Sequence, residues 1–141
     1  MNLLFAFLLF FGSPTPEASP TDLRDQLSRK WLMIGFEVNG KKYSEAWLER
    51  QRQNGLASVL EFQKNGACQV HIHSKGPGGR NQKKTKQNKW QLSEDQTQLI
   101  IKAENEPAQN FTIIKVSNKK LILTSETKDA KQIFTYKSIK D

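Results

Sequence analysis

The stretch from residue 68 to residue 90, CQVHIHSKGPGGRNQKKTKQNKW, gathers a cysteine, two histidines, three glycines and six basic side chains. It is the first place to look for chemistry in this chain. His71 and His73 are two apart in a period-two segment, which puts both imidazoles on one side of a strand with α-carbons about 6.6 Å apart. Such a pair can share zinc or copper if a third ligand joins it. Cys68 falls on the opposite face, and no neighbouring His-Glu or His-Asp pairing supplies that ligand. The expectation is therefore no metal site, with both histidines solvated on an outer strand face.

The basic side chains are Lys75, Arg80, Lys83, Lys84, Lys86 and Lys89, with no acid among residues 75–89. With three glycines, a proline and no apolar residue before Trp90, this segment reads as a long, mobile, solvated hairpin loop. Its charge would suit a polyanion such as lipopolysaccharide, phospholipid headgroups or nucleic acid, held through counterion release. No aromatic side chain interrupts it for base stacking, and Trp90 alternates with Leu92 toward the core, so nucleic acid is not an expected partner. GPGG is not a phosphate loop, because no Gly-Lys-Ser/Thr follows and no helix begins there. A solubilising charge run is the favoured reading, and docking on an anionic envelope surface is the alternative.

Catalytic signatures are missing. There is no Gly-x-Ser-x-Gly and no His-Glu-x-x-His, and the paired acids Glu94/Asp95 and Glu104/Glu106 sit in turns, where carboxylates are ordinarily just exposed. Cys68 alternates with core residues, and buried thiols are inert. The expectation is a non-enzymatic protein without a cofactor.

The elements that would carry these residues follow from composition and periodicity. The chain has 141 residues, 36% of them hydrophobic, and a net charge of +8. The six charges of residues 75–89 leave only +2 for the rest, so the body is nearly balanced. One cysteine rules out an intrachain disulfide and a multi-cysteine zinc site. The apolar run Leu3–Phe11 is short of the roughly 20 residues a membrane span needs, but fits the apolar region of a signal peptide. We read residues 1–18 as that peptide and 19–141 as one domain, exported to the periplasm, the outer membrane or the medium. Ser13 stands where a lipidated cysteine would be, which excludes anchoring at that position.

Ser19, Pro20, Asp22 and Asp25 mark the start of a short helix with Leu23 and Leu27 on one face. Period-two segments then recur to the end: WLMIGFEV, SVLEFQ, CQVHIH, KWQL, QLIIK, NFTIIKV, LILT and IFTYKSI. Asn39-Gly40 and Asn65-Gly66 are turn signals. SEAWLERQRQNG reads as a helical insertion capped by Ser44 and stopped at Asn54-Gly55. Eight strands with short connections favour an all-β antiparallel up-and-down meander, and closure into a barrel hides its edges.

Residues 27–139, with LSRKWLMIG, LEFQKNG, KWQLSEDQTQLII, FTIIKVSNKKLIL and FTYKSI in that order, resemble the small bacterial lipocalin-like domains. The chain departs from true lipocalins at Arg29, which takes the glycine place of their Gly-x-Trp start, and it has no counterpart of their Thr-Asp-Tyr signature. The resemblance implies a lipocalin-like barrel, and with it binding of a small hydrophobic molecule. Alternation assigns to the inward face Leu60, Phe62, Val70, Ile72, Trp90, Leu92, Phe111, Ile113, Leu121, Leu123, Phe134 and Tyr136. An eight-stranded barrel is the size at which such side chains either fill the interior or leave room for one small ligand. The sequence leaves that choice, and the oligomeric state, open.

Overall fold

The computed structural model describes residues 20–75 and 77–140; the expected signal peptide and the Ser19 cap lie outside the described residues. Helix α1 (Pro20–Leu27) leads into β1 (Lys30–Val38), and the Asn39-Gly40 turn joins β1 to a short β2 (Lys41–Tyr43). Both turn residues have positive φ, 50° and 86°, which is what a two-residue type I′ hairpin demands and what Asn-Gly tolerates. Helix α2 (Glu45–Gln53) follows, with the Ser44 hydroxyl accepting from the Trp47 amide at 3.1 Å as its N-cap. The remaining strands are β3 (Asn54–Phe62), β4 (Ala67–Lys75), β5 (Asn81–Leu92), β6 (Gln98–Ala103), β7 (Gln109–Val116), β8 (Lys120–Glu126) and β9 (Lys131–Ile139).

The sheet runs β2-β1-β3-β4-β5-β6-β7-β8-β9, and β1 also pairs with β9. Eight antiparallel strands therefore close into an up-and-down barrel with a short N-terminal helix, the fold class that the alternating segments imply; β2 is a ninth, short strand. Among the described residues no helix is long and apolar enough to cross a membrane.

One expectation is overturned. Residues 81–89 are not loop: they pair in continuous register with β4, from Lys75↔Asn81 to Ala67↔Lys89. Only residues 76–80 connect the two strands. β5 meets β6 only from Asn88↔Ala103 to Leu92↔Leu99, so residues 81–87 form an edge that extends past its neighbour. Side chains 82–87 are exposed on both faces, which is why no apolar alternation marks this strand.

The interior differs along the barrel axis. At the end where α1 sits, Leu27, Trp31, Phe62, Cys68, Leu99 and Leu121 are fully buried. The Trp31 indole donates to the Leu27 carbonyl at 3.0 Å and the Trp90 indole to the Gln63 carbonyl at 2.8 Å. The Arg24 guanidinium lies 4.5 Å from the centre of the Trp90 ring and donates to the Lys64 carbonyl at 3.0 Å. Arg29, at the departure from Gly-x-Trp, donates to the Asn118 carbonyl at 2.7 Å, tying the start of β1 to the β7–β8 turn. These contacts seal one end. Because Leu27 has no water contact, Leu27→Ala is expected to cost about 2–5 kcal/mol in urea unfolding. Ile114→Lys, at an exposed outer position, should stay within about 0.5 kcal/mol.

Candidate ligand site

The opposite end of the barrel is built from half-buried apolar side chains. Phe36, Ile72, Phe111 and Phe134 from the strands, with Trp47 from α2, pack on the buried core while keeping part of their surface open. Ring centres lie 5.2 Å apart for Phe36–Phe134, 5.8 Å for Phe111–Phe134 and 6.0 Å for Phe36–Trp47. Tyr43 extends the row, 4.3 Å from Trp47. These are spacings at which aromatic pairs attract.

Two features place this row. A β-bulge between Met33 and Gly35 shifts the β1–β9 register, after which Phe36 stands opposite Phe134. A Cβ on Gly35 would come within 3.2 Å of Thr135 Cβ, so glycine permits the close approach at the bulge. Helix α2 then covers the gap between β1 and β3, which pair only over Lys30–Leu32. Its Leu48 is buried, and its Arg52 guanidinium donates to the Met33 carbonyl in that gap while holding Glu49 at 2.7 Å.

Of the inward residues predicted from alternation, Leu60, Phe62, Val70, Trp90, Leu121, Leu123 and Tyr136 belong to the buried core. Leu92 and Ile113 are half-buried toward the sealed end, where the Ile113 amide donates to the Thr97 carbonyl of the β5–β6 turn at 2.9 Å, and Ile72, Phe111 and Phe134 border the open end. Phe36, Tyr43 and Trp47 are the residues that alternation missed. The glycine inside β1 was the available signal for a bulge.

The histidine expectation needs correction. His71 is on the outer wall but buried, with Nδ1 3.2 Å from Thr85 Oγ1 and Nε2 3.2 Å from Glu61 Oε1. Glu61, His71 and Thr85 form one row across β3, β4 and β5. The imidazole thus has an acidic partner that the linear sequence did not show, and it ties three strands together instead of facing water. The side chains of His73 and Lys75 lie outside the described residues.

The same row fixes which way the basic residues point. Thr85 is outward with His71, so Lys83 and Lys89 share the outer face by alternation, whereas Lys84 and Lys86 belong to the inner one. The register agrees, since Lys84 stands across from Ile72 and Lys86 across from Val70. Arg80 is exposed in the connection before β5. The basic segment is therefore divided between two faces of a strand.

The titratable groups inside the core are held neutral. Burial, and then the charge of Glu61, pushes the Cys68 thiol up to about 12 from 9.0. Burial, and then Cys68, also raises the Tyr136 phenol. Asp95 is held below the usual carboxylate range by hydrogen bonds from the Ser93 hydroxyl and from the Thr97 hydroxyl and amide, so its work is in the β5–β6 turn.

The sequence matches no protein-family model and no curated protein. Among solved structures, the fold is similar to Japanin from Rhipicephalus appendiculatus, solved bound to cholesterol, with a TM-score of 0.58 at 8% identity over 79% of this chain and 75% of Japanin. It also aligns with the bovine lipocalin allergen Bos d 2, with a TM-score of 0.44 at 13% identity over 84% of this chain and 75% of the allergen. The barrel is lipocalin-like in fold.

The raised thiol and phenol give a pH prediction. As pH rises past about 9 the unfolded chain loses these protons while the folded chain keeps them, so the folded state binds more protons and stability falls. Each group contributes up to roughly 1.4 kcal/mol per pH unit. Urea midpoints measured from pH 8 to 10.5 should decline, and Cys68→Ala should decline less steeply than the wild type. Equal slopes would mean that Cys68 is not held neutral by the fold.

Proposed function

We propose that this protein binds a small apolar molecule, without catalysis, in the open half of its barrel. The observation that carries this reading is the half-buried set Phe36, Trp47, Ile72, Phe111 and Phe134 above a sealed, filled base. Apolar and aromatic surface left partly open in a concavity is where a hydrophobic ligand gains most from leaving water. The candidate ligand contacts from the sequence that fit this half are Ile72, Phe111 and Phe134, and the bulge and α2 add Phe36 and Trp47. Japanin's cholesterol makes a sterol a sensible compound to try early. The N-terminal apolar run and the motif order support an exported protein of the bacterial lipocalin-like kind as part of the same proposal. Docking on an anionic surface is supported less well, because alternation leaves only Lys83 and Lys89 of the β5 lysines outward.

The test is fluorescence titration with the neutral probe N-phenyl-1-naphthylamine, followed by displacement with cholesterol. Saturable binding at one site per chain is expected, weakened about tenfold or more by Phe134→Arg, which sets a charge among the aromatic rings. The outer-face variant Ile114→Lys should bind like the wild type. Absence of saturable binding, or equal binding by Phe134→Arg, would overturn the proposal.

A further inference from the structure

We infer that the ligand taken by the open half is an amphipathic anion, its apolar part among the aromatic rings and its carboxylate or sulfate at Lys84 and Lys86. The inference rests on the barrel-binding reading above and adds the chemical class of the ligand.

Three observations converge on it. First, the inner-face register places Lys84 beside Ile72 and Lys86 beside Val70, so two ammonium groups stand at the rim on the lumen side. Second, the other inward-register strand positions toward this end carry no acid: Gln82 on β5, Gln109 on β7, Ser125 on β8 and Gln132 on β9 are uncharged, and Lys41 on β2 shares the face of Tyr43, its ammonium 5.4 Å from the centre of that ring. The inward strand positions of this rim thus carry positive and no negative charge, next to apolar surface, and Lys84 and Lys86 are its closest-spaced pair. Third, Lys86 already holds a carboxylate, with its Nζ 4.0 Å from Glu106 Oε1 in the β6–β7 connection, and Lys84 has no acidic partner among the described residues. Both Lys86 and Glu106 are well exposed, and such a loose, solvated pair is worth little and can be exchanged. A ligand headgroup can take the place of Glu106 at Lys86 while engaging Lys84, two residues back on the same face.

A lysine on an edge strand also discourages edge-to-edge pairing. That role needs charge along the edge, and is met equally by Lys83. It gives no reason for the lumen side of the rim to carry positive charge alone, which a headgroup site does.

The experiment compares cis-parinaric acid with its methyl ester, titrated by fluorescence against the full chain. The variants are the double substitution Lys84→Gln/Lys86→Gln, Glu106→Gln and Phe134→Arg. The acid is expected to bind roughly five- to tenfold more tightly than the ester. High salt should erode that advantage, the double variant should abolish it with the ester's affinity unchanged, and Glu106→Gln should enlarge it. Phe134→Arg should weaken the ester, which has no charge to respond to the new cation. Equal binding of acid and ester, or an advantage that survives in the double variant, would overturn the headgroup assignment and leave the apolar site standing. If neither compound binds, the barrel-binding reading fails and this inference falls with it.

Discussion

Everything in this fold depends on how β1 satisfies both of its edges. One edge pairs with β9 from Lys30↔Ile139 to Val38↔Gln132, and this ladder turns a sheet into a barrel. The other edge is shared: β3 takes the first three residues, β2 takes Phe36–Val38, and the gap between them is covered by α2 with Arg52 on the Met33 carbonyl. A bare stretch of strand edge would leave backbone polar groups without partners near an apolar interior. The helix resolves that, and in doing so it brings Trp47 to the open end of the barrel.

The asymmetry along the barrel axis follows. Where α1 closes the barrel, large side chains meet in the centre and both base tryptophans spend their indole donors on backbone carbonyls. Where β1 bulges and α2 bridges, the aromatic side chains ring the interior and keep part of their surface free. One end is thus a packed core that supplies stability. The other carries the half-buried aromatic row, held in place by that core.

Much of the fold was legible because its signals are local. Asn39-Gly40 and Asn65-Gly66 announce turns, the alternation in CQVHIH and NFTIIKV announces strands, and Ser44 announces a helix. What was not legible depends on pairing. Residues 82–87 carry no alternation because both of their faces are exposed, so a strand looked like a basic loop. His71 appeared solvated because its contact with Glu61 is a diagonal one between strands, set by a register that includes bulges in β3. Phe36 and Trp47 escaped the list of inward residues because the bulge at Gly35 and the placement of α2 bring them into the ring. The division of the lysines between two faces became visible only when Thr85 was found beside His71.

The three tryptophans offer the most direct test of the division between packed base and open cup. Trp31 and Trp90 lie in the base with their indoles hydrogen-bonded, and Trp47 stacks beside Phe36 and Tyr43 at the other end. Indole NH resonances of the 15N-labelled protein, followed by NMR during titration with N-phenyl-1-naphthylamine, separate the two regions. The account predicts that the Trp47 resonance moves with saturation while those of Trp31 and Trp90 stay in place. A titration in which Trp47 is unmoved, or in which the base tryptophans shift as far as Trp47, would contradict it.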